Sequence, residues 1–160
     1  MHPVIYIMGV SGSGKTTVGT LLSQRTGIPF FDADDFHSAA NKTKMASGQP
    51  LNDADRKDWL IALNNLAIKE AGKAGAIIAC SALKEKYRLV LQQGLQHTLF
   101  IFLKGSFHQI YQRMQSRLHH YMPPALLQSQ FDILEIPEDA VVIDFEKTPE
   151  EAAAIILRQL

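Results

Sequence analysis

The chain has 160 residues, 46% hydrophobic and 20% charged, and its sixteen basic and sixteen acidic residues cancel. This length and balance suit one globular domain and exclude a general binder of nucleic acid or of anionic membranes, which would carry a basic surplus. A lone cysteine, Cys80, excludes an internal disulfide framework and suits a reducing cytosol. No apolar run is long enough for a signal segment or a membrane span.

Short apolar runs alternate with segments of helical period, the pattern of βαβ units around a parallel sheet. The expected fold class is α/β, a three-layer α/β/α domain over residues 1–160 with a five-stranded parallel sheet. The first strand is the run Val4-Ile5-Tyr6-Ile7-Met8. Directly after it, Gly9-Val10-Ser11-Gly12-Ser13-Gly14-Lys15-Thr16 satisfies G-x-x-x-x-G-K-[ST], and a helical pattern over 15–26 follows. Strand, motif and helix together define a phosphate-binding loop (P-loop). Its glycines let successive N–H groups converge on phosphate oxygens, and the helix places its positive end beneath them. Lys15 is expected to reach the β- and γ-phosphates of a nucleotide, with Thr17 beside it, and the Thr16 hydroxyl to ligate Mg²⁺.

The second strand, 30–32, runs into Asp32-Ala33-Asp34-Asp35. Alternation sends Asp32 and Asp34 to one side, within reach of the γ-phosphate. One carboxylate can hold Mg²⁺ through water, the part expected of Asp32. Another can orient an incoming hydroxyl, the part expected of Asp34, although spacing alone leaves open whether Asp34 or Asp35 faces the acceptor. Residues 37–51 read as irregular, with Gly48 and Pro50. Within them Asn41-Lys42-Thr43-Lys44 begins like a guanine-reading N-K-x-D motif, but a lysine stands where the aspartate belongs, so a GTPase is excluded.

A helix is expected over 53–71, capped by Asn52 or Asp53, with Trp59, Leu63, Leu66 and Ala67 on its buried face and Gly72 at its end. A strand over 76–80 makes Cys80 a buried strand residue, and a helix follows over 84–93. Beyond the strand at 98–103, a helix over 107–118 carries Arg113 and Arg117 on one face. These arginines precede residues 118–127, which hold His119, His120 and the Pro123-Pro124 pair. A lid is expected there, closing over ATP and excluding water. The histidines lack zinc-ligand spacing. A strand over 141–144 and a helix over 149–160 complete the chain.

The P-loop, the carboxylates and the lid arginines together point to a small kinase. Lys44, Arg56, Lys84 and Arg88 are spread over the segments around the acceptor side, and a carboxylate on the acceptor needs such cations. Asp34, His37, Asn41 and Ser81 offer donors and acceptors to its hydroxyls. Each has a plainer alternative: Lys84 as a helix-surface charge, Arg56 paired with Asp53, His37 as a cap. Trp59 and Tyr87 read as packing residues.

Several spaced segments resemble the gluconokinase family, small P-loop kinases related in fold to shikimate and adenylate kinases. They are the P-loop; Asp32-Ala33-Asp34-Asp35-Phe36-His37; Gly48-Gln49-Pro50-Leu51-Asn52-Asp53 leading to Asp55-Arg56; and Cys80-Ser81-Ala82-Leu83-Lys84 with Tyr87-Arg88. Arg117 with His120-Tyr121-Met122-Pro123, and Ser129-Gln130-Phe131, continue the likeness, which runs from Ile5 to about Pro137. The S-A-L-K-x-x-Y-R and G-x-P-L-x-D-x-D-R segments are the specific ones. The resemblance implies Mg²⁺-dependent phosphorylation of D-gluconate by ATP, places His120 among the substrate residues, and implies a homodimer. Alanine replaces the middle glycine of the usual D-G-D at Ala33, and the acidic stretch after Leu134-Glu135 is shortened to Glu138-Asp139. The alternatives left open are a kinase for another small acid such as shikimate, or a nucleoside monophosphate, and an ATP-binding regulator without phosphotransfer.

Overall fold

The computed structural model describes residues 1–117 and 123–160. Five parallel strands, β1 (Val4–Met8), β2 (Phe30–Asp32), β3 (Ala76–Ala79), β4 (Thr98–Lys104) and β5 (Val141–Asp144), form one sheet in the order β2-β3-β1-β4-β5. Strand β1 lies at the centre and is wholly buried, which explains its unbroken apolar run. Its pleat divides the core in two. Val4, Tyr6 and Met8 face α3 (Asp53–Ala71) and α4 (Glu85–Gln92), and Ile5 and Ile7 face α1 (Lys15–Thr26) and α7 (Pro149–Leu157). This is a three-layer α/β/α architecture.

The helix ends follow local chemistry. Asn52 caps α3 in a reciprocal capping box with Asp55, so of the two residues expected to cap, Asn52 does so. Ser106 and Thr148 cap α5 (Phe107–Gln115) and α7 in the same way. Two helices were not foreseen. The segment read as irregular contains α2 (Ala39–Ala46), capped by Ser38. The proline pair opens α6 (Pro124–Ile133) because Pro124 occupies the first helical turn, where a missing N–H removes nothing. A third apolar cluster joins Val10, Leu83, Ile110, Met114 and Leu127, seating α5 and α6 against the loop after β1. Residues 118–122 of the expected lid, including His119 and His120, lie outside the described residues.

Candidate active site

The loop after β1 emerges between β3 on one side and β4 on the other, where the chain's connections pass to opposite halves of the sheet, the usual ligand position in such sheets. Gly9, Gly12 and Gly14 have φ of 145°, 79° and 98°. Space as well as conformation demands glycine here. A Cβ on Gly9 would lie 2.9 Å from the Leu103 carbonyl oxygen, and one on Gly12 would lie 2.7 Å from Met114 Cγ. Gly14 is the N-cap of α1 and supplies no capping side chain, so the first N–H groups of that helix remain available to an anion. Lys15 Nζ donates to the carbonyls of Gly9 (3.0 Å) and Val10 (2.9 Å), which holds the ammonium over the loop. Burial pulls its pKa below the ordinary lysine value, and the negative charge of Asp34 pulls the other way.

A cleft of about 970 Å³ opens in front of this loop, within the range that encloses a metabolite and a polyphosphate. Asp32, Asp34, His37, Arg56 and Ser81 share it with Ser11, Gly12, Gly14, Lys15, Thr16, Thr17 and Arg117. Residues 45–51 form another wall. Asp34 is exposed and lines the cleft, whereas Asp35 is not among its lining residues. Asp32 accepts a hydrogen bond from the Asp34 N–H at 2.9 Å, which folds the carboxylates into one 3₁₀ turn, Ala33–Phe36. Burial, aided by the charges of Asp34 and Asp35, raises the Asp32 pKa above the usual carboxylate value.

That turn is braced from behind. Trp59 Nε1 donates to the Ala33 carbonyl at 2.7 Å, and the Trp59 ring stacks on His37 at 4.1 Å. Asn41 Nδ2 donates to the Asp55 carbonyl at 2.7 Å and meets His37 Nδ1 at 3.3 Å, so Nδ1 is the acceptor and the ring proton sits on Nε2. Nε2 faces Asp34 Oδ1 at 4.0 Å. Burial, followed by the charges of Arg56 and Lys42, lowers the His37 pKa to about 4 and keeps the ring neutral.

The expected acceptor-side cations divide into two groups. Arg56 lines the cleft; its Nη1 donates to the Leu51 carbonyl (2.6 Å) and the Tyr87 hydroxyl (3.2 Å), and its Nε and Nη2 bond to no described residue. It does not pair with Asp53. Lys44, Lys84 and Arg88 are not among the residues lining the cleft. Lys44 binds Asp55 at 2.7 Å. Lys84 binds Asp53 at 3.2 Å, and Lys86 and the Tyr87 hydroxyl bind the same carboxylate. These bonds, Lys86 foremost, hold Asp53 well below the usual carboxylate range. Arg88 is buried and donates to the carbonyls of Ala82 (2.7 Å) and Glu135 (3.0 Å). It thereby braces Ala82, whose φ of 46° makes it the sole non-glycine residue with positive φ among the described residues. Cys80 is buried, with its thiol pushed up to about 12, so it is no nucleophile.

Beside the loop, a smaller recess of about 120 Å³ is lined by Gly14, Thr17, Arg113, Arg117 and Phe145. Arg113 lies over the Phe145 ring at 4.1 Å, and Arg117 lines both recess and cleft. The sequence reading missed Trp59 and Asn41 as supports of the carboxylate turn. It also missed Gln130, which binds Ser11 across 119 positions of chain. No local pattern signals such a pairing.

Residues 11–157 match the family model described as shikimate kinase. A probable gluconokinase of Rattus norvegicus is 43% identical, with 98% of this chain and 97% of the relative aligned. The chain belongs to the gluconokinase family. Within that family, the thermosensitive gluconokinase of Escherichia coli strain K12 is 44% identical over 86% of this chain and 76% of the relative. The crystal structure of a gluconokinase from Sinorhizobium meliloti 1021 superposes with a TM-score of 0.88 at 37% identity, covering 98% of this chain and 93% of that one. As a member of this family the chain is a P-loop kinase, and among the described residues no helix is long and apolar enough to cross a membrane.

Proposed function

We propose that this protein transfers the γ-phosphate of ATP to a hydroxyl of D-gluconate, giving 6-phospho-D-gluconate and ADP. The observation that carries the reading is the shared cleft: the glycine cradle, the Asp34 carboxylate and the open side of the Arg56 guanidinium all face one space. In this reading the loop amides and Lys15 hold the β- and γ-phosphates. Arg117, between recess and cleft, spreads positive charge along the triphosphate, and Arg113 supports it beside Phe145. Asp34 accepts the hydrogen bond of the attacking hydroxyl. A loose phosphoryl-transfer transition state asks for alignment more than for a strong base, so an exposed carboxylate on a braced turn serves. Arg56 takes the gluconate carboxylate, and His37 and Ser81 face its other hydroxyls.

The cradle fits Mg²⁺-ATP. Thr16 offers a hydroxyl at the uncapped end of α1, and Asp32, raised by burial and two neighbouring acids, gains from a cation. Bound there, Mg²⁺ would neutralise charge on the phosphates. Lys44, Lys84 and Arg88 act on the acceptor side through what they hold: the α3 N-terminus and the Ala82 turn. His120 and the lid at 118–127 belong to the same reading, as do a cytoplasmic location and a homodimer.

The test is ADP release coupled to a panel of acids, with product identified by mass. Gluconate-dependent ADP release and 6-phosphogluconate are expected. ADP release with shikimate but not gluconate would overturn the assignment of the acceptor.

A further inference from the structure

The front edge of the phosphate loop is gripped from the far end of the chain. The Ser11 N–H donates to Gln130 Oε1 at 2.8 Å, and Gln130 Nε2 donates to Ser11 Oγ at 3.0 Å. The direction is fixed by chemistry, since a backbone N–H only donates and the amide oxygen must therefore face it. Both residues are half-buried and line the large cleft with Asp34 and Arg56. The next loop residue, Gly12, presses on Met114 of α5 so closely that a Cβ would collide. The loop edge is thus packed on one side and hydrogen-bonded on the other.

The pair is not needed to seat α6. Leu127 and Phe131 already pack that helix into the third apolar cluster. Its end is tied down by the Glu135 N–H on the Leu83 carbonyl (2.7 Å) and by Arg88 on the Glu135 carbonyl. The Gln130 amide also has capacity left, one proton on nitrogen and one lone pair on oxygen, and the residue lines the cleft an acceptor would enter. One side chain therefore touches the loop edge and faces the acceptor.

We infer that Gln130 is a positioning residue, holding the Ser11 edge of the cradle in register with the acceptor hydroxyl. The inference rests on the kinase reading above. Acceptor packed against α6 settles the amide of Gln130, and through Ser11 the front of the cradle, before transfer. Gln130→Leu keeps the helical preference, is one atom shorter and removes both bonds.

Gluconate phosphorylation and acceptor-free ATP hydrolysis would be measured on the same preparation, with thermal melting as the check on folding. The expected result is a loss of about tenfold or more in kcat for phosphorylation, at least about threefold larger than the loss in acceptor-free hydrolysis. Adding Ser11→Ala to Gln130→Leu should cost little further, because the two act as one unit. Equal loss of both activities, no loss, or independent multiplicative losses from the two substitutions would each overturn the inference. If Gln130→Leu does not fold, Gln130→Met carries the same comparison. A wild-type protein without gluconate-dependent turnover would instead overturn the kinase reading itself.

Discussion

The phosphate loop and the proposed acceptor side of the cleft are built by different means. On the phosphate side, eight consecutive residues bend so that main-chain N–H groups converge, and the side chains mainly stay out of the way. On the acceptor side, groups arrive from β2, β3, α3 and α6, and most of the charges bind one another before any ligand is considered. Asp55 takes Lys44, and Asp53 takes Lys84 and Lys86. Arg56 keeps part of its guanidinium facing the cleft. A charge near a site serves the ligand directly only if no internal partner has claimed it.

Substitutions on each side break or sharpen this contrast. The largest effect is expected at the transfer point. Asp34→Asn should lower kcat by about 10²–10⁴-fold, and Lys15→Ala by about 10²–10³-fold, with circular dichroism unchanged. Steady-state kinetics at saturating ATP and gluconate measures both. If Asp34→Asn turned over at near the wild-type rate, hydroxyl orientation would not be its role.

Next come the cations. Arg56→Ala should raise the KM for gluconate by about 10–100-fold, the loss of a charge-assisted bond. Lys84→Ala, a side chain already committed to Asp53, should change it by less than about threefold. Equal effects in a gluconate titration would erase the distinction between free and claimed cations.

The smallest effect concerns pH. The His37 pKa falls from 6.5 to about 4 in the folded chain. Between those values the unfolded chain binds a proton that the native ring refuses. Stability from this group is therefore complete above about 6.5 and is lost as pH falls towards 4. Thermal melts across that window should show a steeper acid loss for wild type than for His37→Gln. Parallel curves would show that the stacked ring titrates normally.

Elements legible in the sequence were those whose signal is local. The run Val4–Met8 is apolar at every position because both faces of the sheet are covered. The start of α3 at Asn52 or Asp53, and the glycines of the P-loop, are also written within a few residues, whereas the reciprocal box between Asn52 and Asp55 emerged with the structure. Helix α2 was hidden because eight mostly polar and small residues carry a weak period, and α6 because Pro123-Pro124 reads as a breaker although one proline begins the helix.

By itself, then, the sequence determined the five strands, the phosphate cradle, the acidic turn after β2 and membership of the gluconokinase family. These depend on backbone preference and on periodicity over neighbouring residues, which a linear string contains. Tertiary structure decided the strand order, the placing of Asp34 rather than Asp35 on the cleft, the claim of Asp53 and Asp55 on Lys84 and Lys44, and the grip of Gln130 on Ser11. The strand order and the facing of the acidic turn depend on long-range packing, and the last two on which side chain comes within about 3 Å of a given charge or amide. That distance is set by how the layers pack.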